Sequence, residues 1–234
     1  MSSGRASDIN HTRGGSTSDA SQLIYGKQPV AEAEQGRRKV QRVWRAPETS
    51  SEELERLCGS PDHQGVVAEV EPYPYAGAAE LLRVENALLV ALDQVQDPRN
   101  LGAVARSAEV AGAAGLVIPE RRSAAVTAVT CKASAGAVEH LAIAHVRNLA
   151  DWLAEAKEAG FWIWGADAEA KQAPWDVDLS GPTVLVMGGE GKGLRPRVAS
   201  GCDGLIALPQ RGKIDSLNVS AAAAALLFEA VRQR

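Results

Sequence analysis

Apolar runs of strand length alternate with segments of helical periodicity, which predicts an α/β chain built on a parallel sheet with helices on both faces. Three segments carry that reading. Leu88-Leu89-Val90-Ala91-Leu92-Asp93 is an apolar run, and behind it Leu101, Val104, Ala105 and Ala108 recur at helical spacing. Pro182-Thr183-Val184-Leu185-Val186-Met187 runs straight into Gly188-Gly189-Glu190-Gly191-Lys192-Gly193-Leu194. Gly204 to Pro209 then feeds a polar loop ending in Asp215-Ser216-Leu217-Asn218-Val219-Ser220, and a helix rich in Ala and Leu closes the chain.

Taken in order, residues 1–22 are rich in Ser, Gly, Thr and Asp without apolar periodicity, the composition of a disordered tail. Residues 23–75 predict a small domain: a helix near Gln28 to Gln35, a strand near Val40 to Trp44, a helix near Ser51 to Leu57 and a strand Val66 to Val70. Pro72-Tyr73-Pro74-Tyr75 is a stiff connector, because a residue that precedes proline is held out of the helical region. Residues 76–85 are read as a linker, and 86–234 as the main domain. After its first strand and helix, that domain predicts a strand at Gly115 to Pro119, a helix around Ala125 to Ala135 and a strand at Leu141 to Val146. Asn148 then caps a helix that carries Leu149, Trp152, Leu153 and Ala156 on one face until Gly160 stops it. A strand Phe161-Trp162-Ile163-Trp164 precedes the glycine-rich segment.

Bulk properties narrow the function classes. A chain of 234 residues with 45% hydrophobic content can bury one core of moderate size plus a small one. Cys58, Cys131 and Cys202 are scattered, and His11, His63, His140 and His145 form no HExxH pattern, so neither a disulfide framework nor a metal site is expected. Without an apolar run of membrane-spanning length or a signal-peptide core, the expectation is a cytoplasmic protein with no membrane partner. The net charge of −4 argues against a nucleic-acid partner in bulk, but affinity for RNA follows local positive patches. One such patch spans Arg37 to Arg45, with five cations in nine residues. Arg37, Arg38, Lys39 and Arg42 are candidates for RNA contact, and a charge-protected edge strand is the alternative.

Chemistry concentrates in the turn after the first strand of the main domain. Asp97 can cap the helix, Pro98 sits where a missing N–H costs nothing, and Asn100 stands beside the free backbone donors of the helix start. Loops at the carboxyl ends of strands are where α/β sheets bind ligands. Taken alone, Arg106 also fits a solvated helix arginine lying over an apolar stripe. The later glycines do not fit a dinucleotide fingerprint, which follows the first strand of a sheet. Nor do they fit a phosphate-binding P-loop, because Lys192 is followed by Gly193 and not by Ser or Thr.

In their order and content the three segments resemble the three motifs of the SpoU family of SPOUT RNA ribose 2'-O-methyltransferases, which use S-adenosyl-L-methionine. The likeness covers residues 86–234 and extends to Arg122-Ser123-Ala124 and to Leu227 through Arg234. It implies a C-terminal third threaded into a deep trefoil knot, and a small N-terminal RNA-binding domain. That domain is short here, with room for one helix between Glu48 and His63. It further implies that backbone at Gly188, Leu208 and Leu217 holds the cofactor, with Gly189, Gly191 and Asn218 beside it. Asn100, Glu190, Ser216 and Asn218 would align the ribose, and Arg106 would act at the attacking oxygen.

A guanidinium stays protonated at neutral pH and is a poor proton acceptor, so charge stabilisation is favoured for Arg106 over its description as a general base. Glu190 has an alternative as an ion-pair partner of Lys192 or Arg195. The alanines at 221 to 225 suit close helix packing, and the resemblance implies a homodimer formed by the closing helix and the first-motif helix; burial against the chain's own sheet is the alternative. Tyr25-Gly26 and the segment from His63 to Ala68 resemble the members of the family that methylate a guanosine of 23S ribosomal RNA, and that likeness implies the same substrate. Members acting on transfer RNA or conferring antibiotic resistance share the same core. A catalytically silent RNA-binding protein on this fold would have no need of Asn100, Arg106, Glu190, Ser216 and Asn218 together.

Overall fold

Strand-length apolar runs become six parallel strands. The computed structural model describes residues 21–189, 191, 193–213 and 216–234. The main sheet comprises β4 (Leu88–Asp93), β5 (Gly115–Pro119), β6 (Ile143–Val146), β7 (Trp162–Ala166), β8 (Thr183–Gly188) and β9 (Gly204–Ile206) in the order β6-β5-β4-β8-β7-β9. Ahead of it, β1 (Gln22–Tyr25), β2 (Val40–Arg45) and β3 (Val66–Val70) form an antiparallel sheet in the order β1-β3-β2. The helices are α1 (Lys27–Gln35), α2 (Ser51–Cys58), α3 (Ala78–Leu81), α4 (Pro98–Val110), α5 (Ala128–Ala133), α6 (Leu149–Glu158), α7 (Pro196–Ala199) and α8 (Val219–Gln233).

Alternation along β4 separates the two layers of the core. Leu88, Val90 and Leu92 pack with Leu101, Val104 and Ala105 of α4 and with Ala223 and Leu227 of α8. Leu89 and Ala91 face the other way, towards Leu149, Trp152 and Leu153 of α6. Successive side chains of a strand point to opposite faces, so a strand covered by helices on both sides must be apolar throughout. All six residues of β4 are buried, and the five from Leu88 to Leu92 are apolar for that reason.

Several elements depart from expectation. β1 supplies a strand inside a segment expected to begin with a helix, and Gln22, assigned to the tail, opens it. Residues 1–20 of that tail lie outside the described residues. The expected linker contains α3, whose Leu81 is buried; a Cβ on Gly115 would lie 2.7 Å from its Cδ2. β9 ends at Ile206, ahead of the expected Pro209, and α5 begins only at Ala128, where the Thr127 side chain accepts from the Thr130 amide. The Pro72-Tyr73-Pro74-Tyr75 connector is anchored at both tyrosines. The Tyr73 hydroxyl lies 2.9 Å from the carbonyl of Val138, and the Tyr75 ring stacks on His145 with centroids 3.8 Å apart.

Of the basic run from Arg37 to Arg45 only Val40–Arg45 forms an edge strand, β2, with Arg37, Arg38 and Lys39 ahead of it, and the cations have separate fates. Arg38 corrects the expectation of an RNA contact: its side chain is 0% exposed and ion-paired with the equally buried Glu139. Its Nε donates to Glu139 Oε2 at 3.0 Å and its Nη1 to Gln22 Oε1 at 2.7 Å. The Cys131 thiol sits against the same guanidinium at 3.3 Å, and burial pushes it up to about 12, so it stays protonated at neutral pH. Gly36 makes this approach possible, since a Cβ there would lie 2.6 Å from the Glu139 Cβ. Arg37 donates to the His140 carbonyl at 2.8 Å and Arg42 lies over the Trp44 ring, while both these arginines and Lys39 remain exposed.

The Arg38 and Glu139 pair ties the small sheet to the large one. Removing one member of a buried pair leaves an uncompensated charge and costs about 3–5 kcal/mol, whereas replacing both with apolar groups of similar volume is often neutral. Arg38→Ala should therefore lower the unfolding free energy by about 3–5 kcal/mol in denaturant titrations. The double variant Arg38→Met with Glu139→Leu should recover most of that loss.

Candidate active site

Two helix starts and three strand ends meet at the carboxyl edge of the main sheet. At α4, Asp97 accepts from the Arg99 amide at 2.8 Å and Pro98 occupies the first turn, as the sequence predicts. At α8, Asn218 Oδ1 accepts from the Ser220 amide at 2.8 Å and from its hydroxyl at 2.6 Å. The Nδ2 of Asn218 donates to Asn100 Oδ1 at 3.0 Å, joining the two helix starts.

The glycine turn after β8 is held by close backbone contact. A Cβ on Gly188 would lie 2.3 Å from the carbonyl carbon of Gly193, and one on Gly189 would lie 2.5 Å from the carbonyl oxygen of Gln94. The space beside Gly188 is thus taken by the turn's own backbone. Asp93, which the sequence reading did not single out, closes the turn from the neighbouring strand. Fully buried at the end of β4, it accepts from the Arg195 amide at 2.8 Å and from the guanidinium Nε and Nη2 at 2.7 Å each. Its only signal in sequence is a carboxylate ending an otherwise apolar strand. Arg195, one of the two cations weighed as partners of Glu190, is thereby engaged elsewhere; Glu190 and Lys192 lie outside the described residues.

Between these loops lies a cavity of about 830 Å³, within the range of small-molecule sites. Its walls come from residues 166–169 at the end of β7 and beyond it, the glycine turn, residues 206–208 and Gln210 at the end of β9 and beyond it, and residues 216–219 at the start of α8. Met187, Ile206, Val219 and Leu226 make an apolar side, while Asp167 and Glu169 bring carboxylates to it. Of the residues singled out in sequence, Gly188, Gly189, Gly191, Leu208, Ser216, Leu217 and Asn218 all line this cavity. Asn100 is attached to it through Asn218. Arg106 is not part of the wall. It stands exposed on α4, with no ion pair or hydrogen bond to the described residues. Among the described residues no group of three His, Cys, Asp or Glu side chains could hold a metal ion, and no helix is long and apolar enough to cross a membrane.

Comparison with known proteins identifies the family and the fold. Residues 87–228 match the model of the SpoU rRNA Methylase family, and residues 47–76 match that of the RNA 2'-O ribose methyltransferase substrate-binding domain. YacO of Bacillus subtilis, named for the TrmH family of tRNA/rRNA methyltransferases, is 38% identical over 90% of this chain and 95% of its own length. The 23S rRNA (guanosine-2'-O-)-methyltransferase of Pseudomonas putida is 46% identical over 74% of this chain and 71% of its own. Among solved structures, an AdoMet-bound rRNA methyltransferase from Sinorhizobium meliloti superposes with a TM-score of 0.80 at 27% identity, covering 91% of this chain and 87% of that one. The SpoU methyltransferase AviRb from Streptomyces viridochromogenes, in complex with AdoMet, gives 0.76 at 28% identity over 92% and 90%. The chain belongs to the SpoU rRNA methylase family.

The contact at Gly188 yields a test of the turn. Adding a methyl group against backbone that cannot rotate away is overpacking, which typically costs about 1–3 kcal/mol. Gly188→Ala should lower the melting temperature as well as any cofactor affinity, and unchanged thermal stability would show that the turn yields more readily than the contact suggests.

Proposed function

We propose that this member of the SpoU family transfers a methyl group from S-adenosylmethionine to the ribose 2'-hydroxyl of a guanosine in 23S ribosomal RNA. The observation that carries the reading is the Asn218 to Asn100 hydrogen bond, which joins a cofactor-sized cavity to the start of the helix bearing Arg106. Support for the substrate comes from the Pseudomonas relative, named for that reaction. The name of the Bacillus relative spans tRNA as well as rRNA, so mapping ribose methylation in RNA from a deletion strain decides the target.

The cavity fits S-adenosylmethionine in three respects. It has the size, it has an apolar side for an adenine, and Asp167 and Glu169 supply negative charge towards groups that are cationic in the cofactor. Backbone at Gly188, Leu208 and Leu217 would hold it, with Gly189, Gly191 and Asn218 beside them, in a segment threaded as the family's trefoil knot. When bound, the cofactor supplies an electrophilic methyl group on a sulfonium.

The remaining work falls to the chain's own side chains. Asn100 and Asn218, fixed to each other, with Ser216 on the same loop and Glu190 in the glycine turn, orient the ribose. Alignment of this kind can supply a large part of a barrier reduction. Side chains on a helix lean towards its N-terminus, so Arg106 on the exposed face of α4 leans back towards the Asn100 end. There its guanidinium stabilises negative charge developing on the attacking 2'-oxygen, while the proton leaves to water or an RNA phosphate.

The working unit is a two-fold homodimer in the cytoplasm. α4 and α8 pack side by side, and their outer faces leave Val110 64%, Phe228 50% and Val231 40% exposed, apolar area suited to a second copy of this chain.

Titration calorimetry should show S-adenosylmethionine binding that is unaffected by chelator, because the cavity offers backbone and carboxylates without a metal-ligand cluster among its described residues. Binding that returns only with a divalent ion would count against this reading. Removing one preorganised stabiliser of developing charge typically costs about a hundred- to a thousandfold in rate. Arg106→Ala should lose at least that in single-turnover methylation with RNA and cofactor saturating, while both dissociation constants move little. Partial rescue by Arg106→Lys supports charge stabilisation. A normal rate in Arg106→Ala at saturating RNA makes Arg106 a binding residue only.

A further inference from the structure

With Arg38 buried, the cationic surface expected in the small domain is diminished, and exposed arginines gather elsewhere. β4, β5 and β6 are parallel neighbours, so their carboxyl ends emerge on one edge, with adjacent strands about 5 Å apart. Arg147 follows β6 directly. Arg121 and Arg122 follow β5 after Glu120, whose amide donates to the Val146 carbonyl at 2.9 Å and so keeps the two strand ends together. The loop then turns back towards β4: the Ala124 amide donates to the carbonyl of Val95 at 2.8 Å, and the buried Ala124 side chain anchors it. Val95 lies just ahead of Asp97 and of Arg99, whose neighbour is Asn100.

Arg147, Arg121, Arg122 and Arg99 therefore follow one another along the sheet edge and end beside Asn100. All four are exposed, and none takes part in an ion pair among the described residues. Arg122 holds a left-handed backbone at φ 59°, a conformation uncommon for a residue with a side chain. One carboxylate, Glu120, stands within the row. In a chain of net charge −4, a row of arginines leading to the reacting position is matched by a polyanion.

We infer that Arg147, Arg121, Arg122 and Arg99 form a phosphate track for the RNA strand that carries the target ribose, lying on the methyltransferase domain itself. This rests on the reading of the chain as an RNA methyltransferase. The track sits on the β6 side of Asn100, while the cavity opens on the β7 and β9 side. RNA and cofactor would thus approach the two asparagines from opposite directions along one edge.

The test measures binding of a 23S ribosomal RNA transcript across a range of salt. The variant combines Arg121→Ala, Arg122→Asn and Arg147→Ala; asparagine is used at 122 because it tolerates the left-handed backbone. Each lost phosphate contact should flatten the plot of log K against log salt by about 0.7 to 0.9. Weaker RNA binding should accompany the change, with S-adenosylmethionine affinity and melting temperature unaltered. Replacing the same three residues with lysine keeps the charges and should keep most of the slope. An unchanged slope in the neutral variant, or an equal loss in the lysine variant, overturns the track. Wild-type protein that binds the transcript but methylates no RNA would overturn the functional reading and leave the slope measurement valid.

Discussion

Parallel pairing of β4 with β8 is the constraint from which the site follows. Leu88 stands opposite Thr183, and the register runs without a slip to Asp93 opposite Gly188. Because the strands are parallel, the loop that begins α4 and the glycine turn leave the same edge of the sheet, side by side. Two motifs far apart in sequence become neighbours, and the buried Asp93 can reach Arg195 to close the turn. An antiparallel arrangement would send the two loops to opposite ends, and no choice of side chains could then bring Asn100 near the cavity.

The second constraint is the relation of the small sheet to the large one. Arg38, Gln22 and Glu139 share hydrogen bonds across that boundary, and Tyr73 adds its hydroxyl against the carbonyls of Val138 and Leu141. A buried ion pair is weak evidence for added stability, since desolvation offsets most of the attraction. What it sets is a geometric condition: the buried charges are tolerable only when matched, so an arrangement that separates Arg38 from Glu139 carries the cost of an unpaired charge.

Much of this was legible in the sequence where one physical cause acts alone. β4 is covered on both faces and so is apolar from Leu88 to Leu92, and Asp97 with Pro98 marks the start of α4 through purely local chemistry. The convergence of Gly188, Leu208, Leu217 and Asn218 followed from the motif likeness and not from periodicity. What escaped were features set by distant partners. β1 is four residues long and is a strand because β3 accepts it along Gln22 to Tyr25. Arg38 sits in a run of five cations that looks uniformly solvated, and only Glu139, 101 positions away, makes it an interior residue. Gly188 lines the cavity, and the backbone that would clash with a Cβ there is that of Gly193, a contact set by the folded turn and not by any local pattern.

Asn218 shows how tightly local and distant demands can meet in one side chain. As the cap of α8 it needs an acceptor, and aspartate, serine or asparagine would serve about equally well. As the link to Asn100 it also needs a donor, while its acceptor oxygen is already taken by the amide and hydroxyl of Ser220. An ionised aspartate has no donor, and a serine hydroxyl is too short to serve both ends; the carboxamide alone offers an acceptor on one atom and donors on another. The link is also neutral, so it holds two helix starts together without adding charge at the cavity. The residue at 218 is therefore fixed by the bridge between cavity and helix, and the cap is a condition it satisfies on the way.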